Sequence, residues 1–170
     1  MFDRRILLTT AAGLFGLGAL RWLRGTPAEA GEKTAKKFEI MKTEAEWRAQ
    51  LTPQQYEILR NHGTERPGSS PLLKEKRKGV FACAGCDLPL FASETKFESG
   101  TGWPSFYAPI EGNVGKTEDR AYGMVRTEVH CRRCGGHLGH VFDDGPKPTG
   151  LRYCIDGFGL VFHPAAASAT

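Results

Sequence analysis

Hydrophobic and polar positions change rhythm three times along the chain. Ile6 to Leu20 is an apolar run of 15 residues, rich in Leu, Ala and Gly, flanked by Arg4 and Arg5 before it and Arg21 and Arg24 after it. The run is shorter than the roughly 20 residues a spanning helix needs, and a small-x-small site, Ala28-Glu29-Ala30, follows it. This layout predicts an export signal over residues 1–30, cleaved after Ala30. Paired arginines ahead of a mild apolar core fit a twin-arginine signal, although Asp3 stands where Ser or Thr is usual. An uncleaved N-terminus tethering the chain to a membrane is the alternative. Residues 31–40 read as a linker and residues 165–170 as a disordered, frayed tail.

The second rhythm is helical. Thr43-Glu44-Ala45-Glu46 and Thr52-Pro53-Gln54-Gln55 are capping-box sequences, in which side chains three residues apart satisfy each other's backbone donors. They predict a short helix through about Gln50, then a second with Tyr56, Ile58 and Leu59 on its buried face and Gly63 as its stop. Beyond Gly63, Gly and Pro separate short β-rich runs at Gly79–Ala82, Met124–Val129 and Leu151–Phe162. Tyr122 to His130 alternates as a strand with one wet face. The economical reading is a single small, mainly-β domain over residues 41–164, with short helices at its N-terminal edge.

Charge narrows the function. Removing residues 1–30 takes away four basic and two acidic side chains, so the formal net charge falls from +4 to +2. That is no electrostatic footprint for nucleic acid. The basic run Lys74 to Lys78 reads as a solvated loop face.

Five cysteines carry the chemistry. Cys83-Ala-Gly-Cys86 and Cys131-Arg-Arg-Cys134 each offer two thiolates at the short spacing of structural zinc sites. Redox-active pairs or two disulfides are the alternatives. Neither pair sits at a helix start in a βαβ unit, and two disulfides would close only small rings. Four sulfurs close a tetrahedral shell, leaving no vacancy for His130 and no open position for water, so one structural Zn2+ is expected. The 44 residues between Cys86 and Cys131 make it a clamp between distant loops rather than a self-contained finger. Gly85 and Gly135-Gly136 are expected to give the knuckles their curvature.

Cys154 is left over. If Leu151 to Ile155 is a strand, Arg152, Cys154 and Asp156 share a face, and the guanidinium favours the thiolate. His137 and His140 lie in a glycine-bearing segment directly after the second cysteine pair, which metal would anchor, and histidine moves protons near neutral pH. A buried, inert cysteine and histidines that merely bond backbone remain the alternatives from these residues alone.

Several motifs in one order resemble methionine-R-sulfoxide reductase of the B type: Thr64-Glu65-Arg66-Pro67, Cys83-x-x-Cys86, Lys96-Phe97-Glu98-Ser99-Gly100-Thr101-Gly102-Trp103-Pro104-Ser105-Phe106, Cys131-x-x-Cys134-Gly-Gly-His137-Leu-Gly-His140-Val-Phe142, and Arg152-Tyr153-Cys154. The resemblance runs from about Met41 to Pro164. It implies two antiparallel sheets and reduction of the R epimer of methionine sulfoxide in oxidised peptides and proteins. It also implies Cys154 as the nucleophile that becomes a sulfenic acid, with His137 and His140 orienting or protonating the sulfoxide oxygen. Trp103 and Phe142 would cradle the methyl group, and Arg152 would bias Cys154 toward thiolate.

Two positions depart from the family. Thr101 stands where many relatives carry a resolving cysteine, so a sulfenic acid on Cys154 would need an external thiol such as a thioredoxin-like protein. Asp156, counted with the substrate-binding residues, stands where Asn is usual; a carboxylate on the thiol's face opposes ionisation. A zinc-knuckle binding module and a thiol peroxidase are the rival classes. The first needs no spare thiol, and the second no aromatic slot around Trp103.

Overall fold

The computed structural model describes residues 37–166. The expected export signal and residues 31–36 lie outside the described residues, as do residues 167–170 of the expected tail.

Both capping boxes form. Helix α1 spans Glu44–Gln50, with the Thr43 hydroxyl accepting from the Glu46 backbone N–H and Glu46 closing the box. Helix α2 spans Pro53–Asn61, with the same exchange between Thr52 and Gln55. It stops one residue before the expected Gly63: His62 adopts the left-handed conformation, φ 54° and ψ 32°.

Nine strands follow among the described residues: β1 Gly79–Cys83, β2 Pro89–Ala92, β3 Lys96–Phe97, β4 Ser105–Phe106, β5 Val114–Asp119, β6 Arg126–Cys131, β7 His137–Phe142, β8 Arg152–Ile155 and β9 Leu160–Pro164. They form two sheets, ordered β2-β1-β9 and β3-β4-β8-β7-β6-β5, with every pairing antiparallel. The mainly-β, two-sheet expectation therefore holds. The expected strand from Tyr122 begins only at Arg126, because residues 121–123 form a tight turn with Tyr122 at φ 57°. The run Leu151–Phe162 divides into β8 and β9 around a single helical turn at Gly157–Gly159.

Alternation sends alternate side chains of each sheet into a shared aromatic core. Phe81 of β1 and Phe91 of β2 meet Phe106 of β4 with ring centroids 5.0 and 4.4 Å apart, and all three are fully buried. Each such burial stabilises the fold by roughly 1.5–3 kcal/mol. Helix α2 lays Leu59 against this structure near Gly85 and Gly136.

Phe38 to Ile40, expected as linker, are seated on the second cysteine knuckle. The Ile40 N–H donates to the Arg133 carbonyl at 3.0 Å, and Glu39 pairs with Arg132. The packed chain thus begins ahead of residue 41. At the other end the Ala165 N–H donates to the Lys78 carbonyl at 2.8 Å, so the first residue of the expected tail extends the sheet edge.

Candidate active site

Two backbone knuckles bring four sulfurs together. In the first, the N–H groups of Cys86 and Asp87 donate to the Cys83 carbonyl, and Asp87, not Gly85, takes the left-handed conformation at φ 57°. In the second, the Gly135 N–H donates to the Cys131 carbonyl and Gly135 holds φ 70°. A Cβ on Gly135 would also lie 2.3 Å from the Phe38 ring, so glycine is required there twice over. The helices brace both turns: Gln50 donates to the Gly85 carbonyl at 2.7 Å and Arg60 to the Cys134 carbonyl at 3.2 Å.

The sulfurs of Cys83 and Cys134 are 3.7 Å apart and those of Cys86 and Cys131 are 3.5 Å apart, with all four within 4.8 Å. A disulfide would need about 2.05 Å. Four thiolates about 2.3 Å from one ion stand about 3.8 Å from each other, so these residues fit a tetrahedral metal. Each close contact joins one knuckle to the other, as a clamp requires.

The second knuckle feeds directly into β7, where the histidines lie on a strand rather than in a loop. β7 pairs with β8, placing His140 opposite Cys154, and with β6. The approach to β8 is close: at Gly139, φ 141°, an added Cβ would lie 2.1 Å from the Cys154 carbonyl oxygen. Only glycine lets the histidine strand sit this near the thiol strand.

Together these elements line a cavity of about 350 Å³ whose wall includes Cys154, His137, His140, Trp103, Phe142 and Asp156. Six of the seven expected catalytic and substrate-binding residues therefore converge. Arg152 is not part of the wall. It shares the Cys154 face of β8, but it makes two 2.8 Å hydrogen bonds to Asp144 and lies 4.5 Å over the Phe142 ring.

His62, Thr64, Tyr122 and Arg126 also line the cavity, and Glu128 and Asp119 support its histidines. His137 Nδ1 donates to Glu128 at 2.8 Å, and the same carboxylate oxygen is 3.2 Å from His62 Nδ1. Burial pushes the Glu128 carboxyl up, but the bonds from His137 and His62 outweigh it and hold the group well below the ordinary carboxylate range. His62 is raised in turn by Glu128. His140 Nε2 donates to Asp119 at 2.8 Å, and Arg126 also pairs with Asp119. The Ala121 N–H, with His140 and Arg126, draws the Asp119 carboxyl down to about 2. Burial lowers His140, with the Asp119 bond opposing it. Each histidine thus spends one ring nitrogen on a carboxylate and leaves the other for the cavity. The wet face of β6 was the only sequence signal for Glu128. The hairpin register that pairs Asp119 with Arg126 was needed to place those two.

The sulfur itself is half-buried. Burial pushes the Cys154 thiol up; Thr101, whose hydroxyl is 3.9 Å away, and Arg152 oppose that, while Asp156 reinforces it. Arg152 acts in the expected direction but does not prevail. Asp156 does not pair with Arg152. It is buried, its Oδ1 accepts from the Thr64 hydroxyl at 2.9 Å and the Glu65 N–H at 3.1 Å, and burial raises its own pKa.

Residues 51–164 match the SelR domain. The chain is 58% identical over 126 residues to a peptide methionine sulfoxide reductase MsrB of Agrobacterium fabrum, covering 74% of this chain and 93% of that one. MsrB proteins of Leptospira interrogans and Pseudomonas putida are 54% and 59% identical over 126 residues, covering 74% of this chain and 96% and 95% of theirs. The chain belongs to the MsrB-type methionine-R-sulfoxide reductase family. The matched region holds both cysteine pairs, His137, His140 and Cys154, residues that carry the family resemblance. Among the described residues, no helix is long and apolar enough to cross a membrane.

Proposed function

We propose that this chain reduces the R epimer of methionine sulfoxide in oxidised peptides and proteins, with Cys154 as the reacting thiol. The observation that carries the reading is the separation of the five cysteines: four cluster, and the fifth opens on the cavity that also holds the histidine pair and Trp103.

Trp103, fixed by its indole N–H donating to the Glu65 carbonyl at 3.2 Å, and Phe142 form the apolar wall for the methyl group. The Cys154 thiolate attacks the sulfoxide sulfur as His137 and His140, oriented by Glu128 and Asp119, supply protons to the oxygen. The S–O bond breaks and the oxygen leaves as water; a water then adds to the Cys154 sulfur and breaks the S–S bond just formed, so methionine leaves as the sulfide and Cys154 is left as a sulfenic acid. Thr101 holds no sulfur to condense with it. An external thiol, such as a thioredoxin-like protein, attacks the sulfenic sulfur and expels water, and a second thiol equivalent releases Cys154 from the mixed disulfide. Zn2+ is the ion the four-cysteine cluster is read to hold. When bound it supplies no catalysis and fixes the two knuckles, the second of which leads into the histidine strand.

The test is an assay of wild type and Cys154→Ser on the separate R and S epimers of dabsyl-methionine sulfoxide with dithiothreitol. Activity on R alone, lost in the variant, is expected; turnover of the S epimer, or a variant that still turns over, refutes the reading. The N-terminal segment supports export by the twin-arginine route to the periplasm. Replacing Arg4 and Arg5 with Lys is then expected to strand precursor in the cytoplasm, and undiminished export would count against that route.

A further inference from the structure

Thr101 is the near end of a chain of hydroxyls. Its Oγ1 lies 3.9 Å from the Cys154 sulfur and 2.9 Å from Ser99 Oγ, which lies 2.7 Å from Ser105 Oγ. Ser105 donates to the Trp103 carbonyl at 3.1 Å. Ser105 is fully buried and pairs with Cys154 across β4 and β8.

Each hydroxyl carries a single proton, and that constraint sets a direction. The Trp103 carbonyl can only accept. While Ser105 donates to it, Ser99 must donate to Ser105, and Thr101 must donate to Ser99. Thr101 then has no proton left for the sulfur and can only accept one from the Cys154 S–H. The chain so directed makes four contacts and favours the neutral thiol. A thiolate only accepts, so Thr101 must turn to donate to sulfur, and wherever along the chain the direction then reverses one contact is lost. Three contacts remain of the four.

We infer that Ser99 and Ser105 are positioning residues that, through the donor direction of this hydroxyl chain, hold resting Cys154 as the thiol more firmly than Thr101 alone would. The inference rests on the reading of Cys154 as the reacting thiol and adds a control on when that sulfur ionises. The charged and titratable groups around the sulfur are Arg152 on its own strand, Asp156 just beyond it, His137 and His140 on β7, and His62, Tyr122 and Arg126 elsewhere on the cavity wall. None of them belongs to the chain, and all stay in place in the test.

The experiment measures the Cys154 pKa from the pH dependence of iodoacetamide alkylation, read on the Cys154 peptide by mass spectrometry in the metal-loaded protein without substrate. In Ser105→Ala, Ser99 can donate to Thr101 and Thr101 to sulfur without losing a contact on ionisation. The Cys154 pKa is therefore expected to fall, by about half to one pH unit for one net hydrogen bond. Ser99→Ala should lower it too, and serves if Ser105→Ala does not fold. In a Thr101→Val background the serine substitution should have no effect, because the link to sulfur is gone. An unchanged or raised pKa in the serine variants overturns the inference, as does a drop that persists in Thr101→Val. The readout uses no substrate, so it separates from the epimer assay: inactive chemistry at Cys154 would fail there and leave this titration intact.

Discussion

Asp156→Asn removes a negative charge from beside the thiol at little cost in hydrogen bonding. The carboxylate uses one oxygen, Oδ1, to accept from the Thr64 hydroxyl and the Glu65 N–H, and an amide oxygen can accept both. Residues two apart on an extended chain are about 7 Å apart. At an effective dielectric of about 20, two unit charges at that distance repel by roughly 2 kcal/mol. Water reaching the half-buried sulfur weakens this to about half, and each pKa unit is about 1.4 kcal/mol. The substitution should therefore lower the Cys154 pKa by about half to one unit. The sign follows from the order of events: at the alkaline pH where the thiol titrates, Asp156 is already ionised and opposes a second negative charge. Below that pKa the thiolate fraction falls about tenfold per pH unit, so the acid limb of kcat/KM should move to lower pH by the same interval. Alkylation of Cys154 against pH and the kcat/KM profile are the assays. A thiol pKa that stays put or rises in the variant would refute the electrostatic reasoning and mean the Asp156 charge does not reach the sulfur.

The remaining predictions concern the supports of the site. Asp119→Asn removes the carboxylate that opposes the burial-driven lowering of His140, so His140 should titrate lower still and kcat/KM near neutral pH should fall about tenfold, with its alkaline limb displaced to lower pH; an unmoved limb would argue against His140 as a proton donor. Cys131→Ser should lose the bound metal by elemental analysis and be largely unfolded by circular dichroism, because apparent zinc affinities of about 10–16 kcal/mol rival the whole stability of a typical domain; a variant with full metal content and unchanged melting would exclude the cluster as a structural clamp. Trp103→Ala opens the apolar wall and should cut kcat/KM by roughly 10–100-fold at unchanged metal content, a loss of about 1.4–2.8 kcal/mol; wild-type kinetics would remove Trp103 from methyl recognition.

Local patterns were legible wherever neighbours in sequence are neighbours in space. Both helices start where their capping boxes place them, because the bonding groups lie only three residues apart. The cysteine pairs declared themselves by spacing, and the pairing of one knuckle with the other needed only the count of four ligands. Arg152-Tyr153-Cys154-Ile155 alternates as read, with Tyr153 and Ile155 buried. Where the reading slipped, a backbone conformation was the cause. Tyr122 and His62 take left-handed turns that no β- or helix-pattern encodes, and they move a strand start and a helix stop. Residues 38–40, Phe-Glu-Ile, are too short to carry a helix or strand pattern, yet they find a partner in the second knuckle.

The sequence by itself determined which atoms are available: a surplus thiol, two histidines, an aromatic wall, four sulfurs for a clamp and no second sulfur at position 101. Only the tertiary structure decided how those atoms are tuned. Glu128 reaches His137, Asp119 reaches His140 and Ser105 pairs with Cys154 through strand register, and Asp144 takes Arg152 from the loop leaving β7, joining residues 9, 21, 49 and 8 positions apart. Hydrogen bonds and charge interactions act over a few ångströms, so their partners are fixed by which strands lie side by side. That arrangement is set by burial of the whole aromatic core rather than by any local stretch of residues.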